Sequence, residues 1–167
     1  MLLYITDEFI KNETQQLNNR ILYTTMTNTI YTTSKQFETQ IQKEYGEMGF
    51  SYFGVKQINK LYSSEYKDRV GKQYPDGIRL NEDGTLDVLE VKYRRDQRTT
   101  DKHVTGTIDE KFQTTDYKIW FIEKMTGRTV NTFTYVTNSH FNEDKFLFVK
   151  EYYKDHPKVR FVVKEVR

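Results

Sequence analysis

Asp76, Glu90 and Lys92 are the residues in this chain whose types and spacing come closest to a reaction centre. They lie in YPDGIRLNEDGTLDVLEVKYR, residues 74–94, where one of only two prolines is followed at once by Asp76. A strand has a period of two, so Glu90 and Lys92 fall on one face and Leu89, Val91 and Tyr93 on the other. The turn residues Asn81–Gly84 fold the preceding strand back as a hairpin, which can bring Asp76 beside Glu90 across the pair. Two carboxylates converging on one face suit a hard divalent cation. Mg²⁺ fits best, because it commonly takes one or two carboxylates and fills its other positions with water and phosphate oxygens. A lysine beside that ion can hold or activate an attacking water and offset charge developing on phosphorus. These are the parts for metal-assisted hydrolysis of a phosphodiester.

The E-x-K spacing carries little information alone. Glu65–Lys67 and Glu143–Lys145 repeat it, and Asp109–Lys111 and Asp116–Lys118 give D-x-K. A carboxylate and a lysine two residues apart on an exposed strand face are ordinarily just solvated. Residues 90–92 differ in context: they interrupt a strongly apolar strand and follow Pro-Asp and a hairpin turn. Burying a charge near a core costs several kcal/mol unless it is paired or bound to metal. Such a cost is more easily understood at a functional site.

The unit Pro75-Asp76 followed by Glu90-Val91-Lys92 resembles the signature of the PD-(D/E)XK nuclease superfamily, which includes type II restriction endonucleases and Holliday junction resolvases. Phe37-Glu38, followed by TQIQKEYGEMGF, is similar to the resolvase-like helix that ends in a Gly–aromatic pair before the first strand. The resemblance places an assisting acidic residue at the N-terminal end of that helix, which is Glu38, with Glu44 and Glu47 as competitors. First-turn stabilisation of the helix dipole would account for Glu38 equally simply, at about 0.3–1 kcal/mol. TGTIDEKF, residues 105–112, also resembles a segment that follows the catalytic strand in some restriction endonucleases. A capping box, Thr107 with Glu110, explains it as well.

The elements that must hold these residues follow from hydrophobic spacing. A polar segment with weak helical periodicity, residues 6–20, leads into TTMTNTIYTT. Ser34 can cap a helix in which Phe37, Ile41, Tyr45 and Met48 form an apolar stripe, ended by Gly46 or Gly49. FSYFGVKQI is expected to be a strand, and residues 59–74 a loop or short helix. After the hairpin, TIDEKFQTTD is expected to be a short helix, and YKIWFIEK and NTFTYVTN strands. EDKFLFVKEYYKDH is expected to be a helix and KVRFVVKEV a final strand. With no repeat, linker or composition break, residues 1–167 are expected to form a single domain. The element order points to an α/β (or α+β) fold, a central mixed β-sheet flanked by helices. By resemblance this is restriction-endonuclease-like.

Composition excludes several alternatives. The absence of cysteine removes disulfides, Cys-ligated zinc, iron–sulfur clusters and a thiol nucleophile. Aromatic residues make up 15% of the chain, including 13 tyrosines and 11 phenylalanines, which argues for a packed core despite 30% charged residues. The start MLLYITDEF lacks a basic n-region, and no apolar run reaches bilayer length. The expectation is a soluble, intracellular protein with no membrane partner. A net charge of +2 is too small to mark a nucleic-acid binder, so a local patch must do that. Arg94, Arg95, Arg98 and Lys102 follow the proposed catalytic strand, and Arg69 and Lys72 precede the Pro-Asp. These could contact DNA phosphates or bases, although solvated basic loops have the same composition. His103, His140 and His156 show no metal-ligand spacing.

The resemblance implies a Mg²⁺-dependent endodeoxyribonuclease, with Mn²⁺ able to substitute. Asp76 and Glu90 would hold the metal with the Val91 carbonyl as a third ligand. Lys92 would position the water and Glu38 would assist. One catalytic set per chain implies a homodimer or higher homo-oligomer for cutting a duplex. A sequence-specific restriction or homing enzyme is expected, with a junction resolvase or a catalytically inactive nucleic-acid-binding module as alternatives. That inactive module is the rival from another class, and a structural domain without nucleic acid is a third possibility.

Overall fold

The computed structural model describes residues 33–63, 65, 73–93, 112–139 and 144–164. The segment 6–20, the capping box at 107–110 and the basic run after Tyr93 lie outside them.

Helix α1 spans Ser34–Glu47. Its cap is Thr33 rather than Ser34. Thr33 is extended, and its hydroxyl accepts from the Gln36 amide at 3.2 Å while the Gln36 side chain accepts from the Thr33 amide at 3.1 Å. This reciprocal box satisfies donors that the first helical turn leaves free. Phe37, Ile41 and Tyr45 are buried on one face. The helix stops at Met48, and Gly49 follows at φ +93°, a conformation that favours glycine.

The expected strand FSYFGVKQI holds for only two residues, β1 (Tyr52–Phe53). Gly54 turns the chain at φ +71°, and Gly54–Ile58 forms a short helix, α2. The hairpin is where the sequence places it: β2 is Gly77–Leu80 and β3 is Leu86–Lys92, with Gly77 opposite Leu89 and Arg79 opposite Asp87. At the turn Gly84 takes φ +83° and its amide donates to the Asn81 carbonyl at 3.0 Å.

YKIWFIEK, expected to be a strand, is helical and belongs to α3 (Thr115–Thr126). Thr115, Lys118, Ile119, Ile122 and Met125 are buried, a spacing of three and four that fixes one face on the sheet. Tyr117 and Trp120 point outwards, about half exposed. The apolar run therefore came from both faces of a helix, not from one buried strand. Strand β4 (Val130–Asn138), helix α4 (Asp144–Tyr153) and strand β5 (Val159–Lys164) follow as expected.

The five strands lie side by side in chain order. The pairs β1–β2 and β2–β3 are antiparallel, whereas β3–β4 and β4–β5 are parallel. Parallel neighbours require a crossover, which α3 and α4 supply. Helix α1 covers one face, packing Phe37, Ile41 and Tyr45 with Leu89, Val91 and Val136. Helix α3 covers the other, packing Ile119, Ile122 and Met125 with Val88, Phe133 and Tyr135. This is the expected α/β fold, a mixed sheet with helices on both faces. No helix among the described residues is long and apolar enough to cross a membrane.

Candidate active site

The strand parity read from the sequence holds. Leu89 and Val91 join the α1-side core, so Glu90 and Lys92 face the α3 side. The hairpin register sets Asp76 next to Glu90. The Asp76 amide donates to the Leu89 carbonyl at 3.0 Å, and the Val91 amide donates to Asp76 Oδ2 at 2.6 Å. Asp76 thus takes over a backbone partner at the point where β2 begins, which fixes its side chain at the C-terminal end of β3.

Three oxygens surround one nitrogen there. Lys92 Nζ lies 2.7 Å from Glu90 Oε1, 3.1 Å from the Val91 carbonyl and 3.8 Å from Asp76 Oδ2. A second ammonium, Lys118 Nζ of α3, approaches the same Glu90 oxygen at 2.9 Å. Glu90 and Lys118 are buried, and the Asp76 and Lys92 side chains are 28% and 15% exposed. The centre therefore holds two carboxylates and two ammoniums, open at the Asp76 side.

The two carboxyls respond oppositely to this setting. Burial pushes Asp76 up to about 6, helped by the neighbouring Glu90 charge and, more weakly, by Glu38, while Lys92 and the Val91 amide pull it down. Burial would also raise Glu90, but Lys92 and Lys118 outweigh it and hold its carboxyl below the usual range. A pair of acids pushed apart by their surroundings is the pattern of a site with assigned roles.

Glu38 lies exposed on α1, hydrogen-bonded to Gln42 Nε2 at 3.1 Å, close enough for its charge to be felt at Asp76. Its competitor Glu44 is taken by Lys164 at 2.8 Å, and Glu47 closes the helix. Of the nucleic-acid contact candidates, Arg69, Lys72, Arg94, Arg95, Arg98 and Lys102 lie outside the described residues.

The donor set fits a hard divalent ion. The same three oxygens expected to bind metal already gather around a cation, with the Lys92 ammonium standing in that place. Among the described residues no three His, Asp or Glu side chains cluster to hold a metal. The side chains therefore offer two carboxylates, within the range that Mg²⁺ takes when water and phosphate complete its shell.

Lys118 was missed by sequence reasoning. Asp116–Lys118 registered only as a spurious D-x-K, and its segment read as a strand. The spacing of Thr115, Lys118, Ile119 and Ile122 was the signal that would have put Lys118 on the sheet-facing side of a helix. Thr137 was also not anticipated. It is the register partner of Lys92 on β4, is fully buried, and its hydroxyl has no hydrogen-bond partner among the described residues. Compared with protein-family models, curated proteins and solved structures, the chain gives no match.

Proposed function

We propose that this protein is a Mg²⁺-dependent endodeoxyribonuclease that hydrolyses DNA phosphodiester bonds at the C-terminal end of β3. One observation carries the reading: Asp76 Oδ2, Glu90 Oε1 and the Val91 carbonyl converge on a single cationic centre. The likeness of Pro75-Asp76 and Glu90-Val91-Lys92 to the PD-(D/E)XK signature, and a mixed sheet with helices on both faces, support a restriction-endonuclease-like assignment.

Asp76, Glu90 and the Val91 carbonyl would hold the ion. When bound, Mg²⁺ supplies Lewis-acid polarisation of a phosphate oxygen and a lowered pKa for bound water. Lys92, freed from the carboxylates, orients the attacking water and offsets negative charge on the phosphoryl group. Water adds to phosphorus and the P–O bond to the leaving oxygen breaks, giving a phosphate monoester and a hydroxyl. Lys118 keeps Glu90 ionised throughout, since its buried ammonium remains beside that carboxylate. Glu38, on α1, adds a weak negative potential felt at Asp76. Two chains would act together on a duplex, each supplying one set of these residues. Within this class a sequence-specific restriction or homing enzyme is our preferred form, and a junction-resolving enzyme the second.

The test is incubation of purified protein with supercoiled and with branched DNA, with and without Mg²⁺, beside Glu90→Ala and Lys92→Ala. Mg²⁺-dependent cleavage lost in both variants supports the mechanism. Cleavage that persists in both removes it. Binding of DNA without cleavage of any substrate transfers the reading to an inactive binding module.

A further inference from the structure

The charge count at the centre says more than the identity of its residues. Asp76 and Glu90 supply two negative charges when ionised, and Lys92 and Lys118 supply two positive ones within ion-pair distance of them. The two ammoniums are not equivalent. Lys92 lies at the open side and touches Asp76, Glu90 and the Val91 carbonyl. Lys118 is 7% exposed, and Glu90 is the only acid it contacts among the described residues. It lines a small cavity together with Gln73, Tyr74, Pro75, Glu90, Ile122 and Phe133. A cation arriving at the carboxylates can displace Lys92 into solvent. Lys118 is the more deeply buried of the two, its side chain 9% exposed against 15% for Lys92, and on this reading its charge remains beside Glu90.

We infer that Lys118 is a positioning residue that makes divalent-metal binding depend on the anionic substrate. The inference rests on the nuclease reading above and adds a form of regulation to it. With Lys118 in place, two carboxylates face one permanent positive charge, and a divalent ion is opposed by the ammonium at close range. A phosphodiester brings the missing negative charge and completes an oxygen shell that two carboxylates leave unfilled. Metal and DNA therefore bind cooperatively, each raising the affinity for the other by the same factor. The full site assembles only on its substrate.

Mn²⁺ binding followed by electron paramagnetic resonance reads this without any turnover. The comparison uses wild type, Lys118→Gln and Lys118→Arg, each with and without a duplex carrying non-hydrolysable linkages. Glutamine keeps an N–H donor for Glu90 without the charge, so the variant stays close to the native packing. Lys118→Arg keeps the charge. Wild type is expected to bind Mn²⁺ about tenfold or more tightly with DNA than without it. Lys118→Gln should bind Mn²⁺ alone about tenfold more tightly than wild type, with the DNA effect correspondingly reduced. Lys118→Arg should behave as wild type. Unchanged or weaker Mn²⁺ binding by Lys118→Gln, at unchanged circular dichroism, overturns the inference while leaving the nuclease reading standing. If Lys118→Gln proves unfolded, the inference stands or falls on the wild-type DNA effect, and equal Mn²⁺ affinity with and without DNA overturns it. Absence of Mn²⁺ binding by wild type under both conditions defeats the nuclease reading itself.

Discussion

Strand β3 buries a carboxylate near each end, and the two are treated in opposite ways. Asp87, near the N-terminal end, is saturated. It accepts from Arg79 Nε at 3.1 Å, Asn131 Nδ2 at 3.0 Å and Thr132 Oγ1 at 2.7 Å. Burial alone would raise its carboxyl, but hydrogen bonds from Thr132, Arg79, Asn131 and Asn81 outweigh this and hold it low. These contacts tie β2, β3 and β4 together, and they leave no room for a ligand's chemistry. The Asp76–Glu90 end has two lysine ammoniums, Lys92 and Lys118, in place of the guanidinium, amide and hydroxyl donors gathered around Asp87. Its Asp76 carboxyl is pushed up to about 6 and its Thr137 hydroxyl has no partner among the described residues. Asp87 has the full set of donors expected of a carboxylate that serves the fold. On the proposed reading, the more open Asp76 is kept short of fixed donors because it serves chemistry.

This contrast can be broken most forcefully at Asp87. Asp87→Ala leaves Arg79, Asn131 and Thr132 without their acceptor and should cost about 3–5 kcal/mol of stability. Urea unfolding measures it. Glu90→Gln tests the other end. It should reduce Mg²⁺-dependent DNA cleavage about 10²–10³-fold in the folded protein, a loss comparable to removing a charge-stabilising group from an active site. If instead Asp87→Ala abolishes cleavage while leaving stability intact, the division between the two ends is wrong.

How much of this division was legible beforehand can be traced to particular residues. Pro75-Asp76, the Asn81–Gly84 turn and the period of β3 are local signals, and they correctly placed Asp76 beside Glu90. Two elements were misread because their signals depend on what surrounds them. YKIWFIEK is apolar enough to pass for a strand. Only its packing shows that Ile119 and Ile122 face the sheet while Trp120 is 52% exposed. FSYFGVKQI alternates like a strand, but Gly54 at φ +71° breaks it after Phe53. Lys118 follows from the first error, because its place beside Glu90 exists only once α3 is a helix packed on β3. Asp87 gave no warning either, since its partners Asn131 and Thr132 come from a strand more than forty residues away.

A smaller effect concerns pH. The folded Asp76 carboxyl, raised from 3.8 to about 6, favours the protonated form. Its contribution to stability is therefore fully present below about pH 4 and lost as pH rises through about 6. Asp87 is shifted the other way: its contribution is present above about pH 4 and lost as pH falls through its folded value. In chelator, Asp76→Asn should thus stabilise the protein at pH 7 by about 1–3 kcal/mol and have little effect at pH 4. Chemical unfolding across that range checks it. The smallest expected effect is at Glu38. Glu38→Gln should lower the Asp76 pKa by less than about one unit, read by carboxyl-resolved NMR titration.

The account's central claim is that the C-terminal end of β3 is built for a divalent cation and the N-terminal end is not. The most direct measurement is a Mn²⁺ titration, in the presence of non-hydrolysable DNA, of wild type, Asp76→Asn, Glu90→Gln and Asp87→Asn, each verified as folded. One Mn²⁺ per chain should bind to wild type and to Asp87→Asn, with affinity reduced about tenfold or more in Asp76→Asn and Glu90→Gln. Equal binding by all four proteins, or a loss confined to Asp87→Asn, would contradict it.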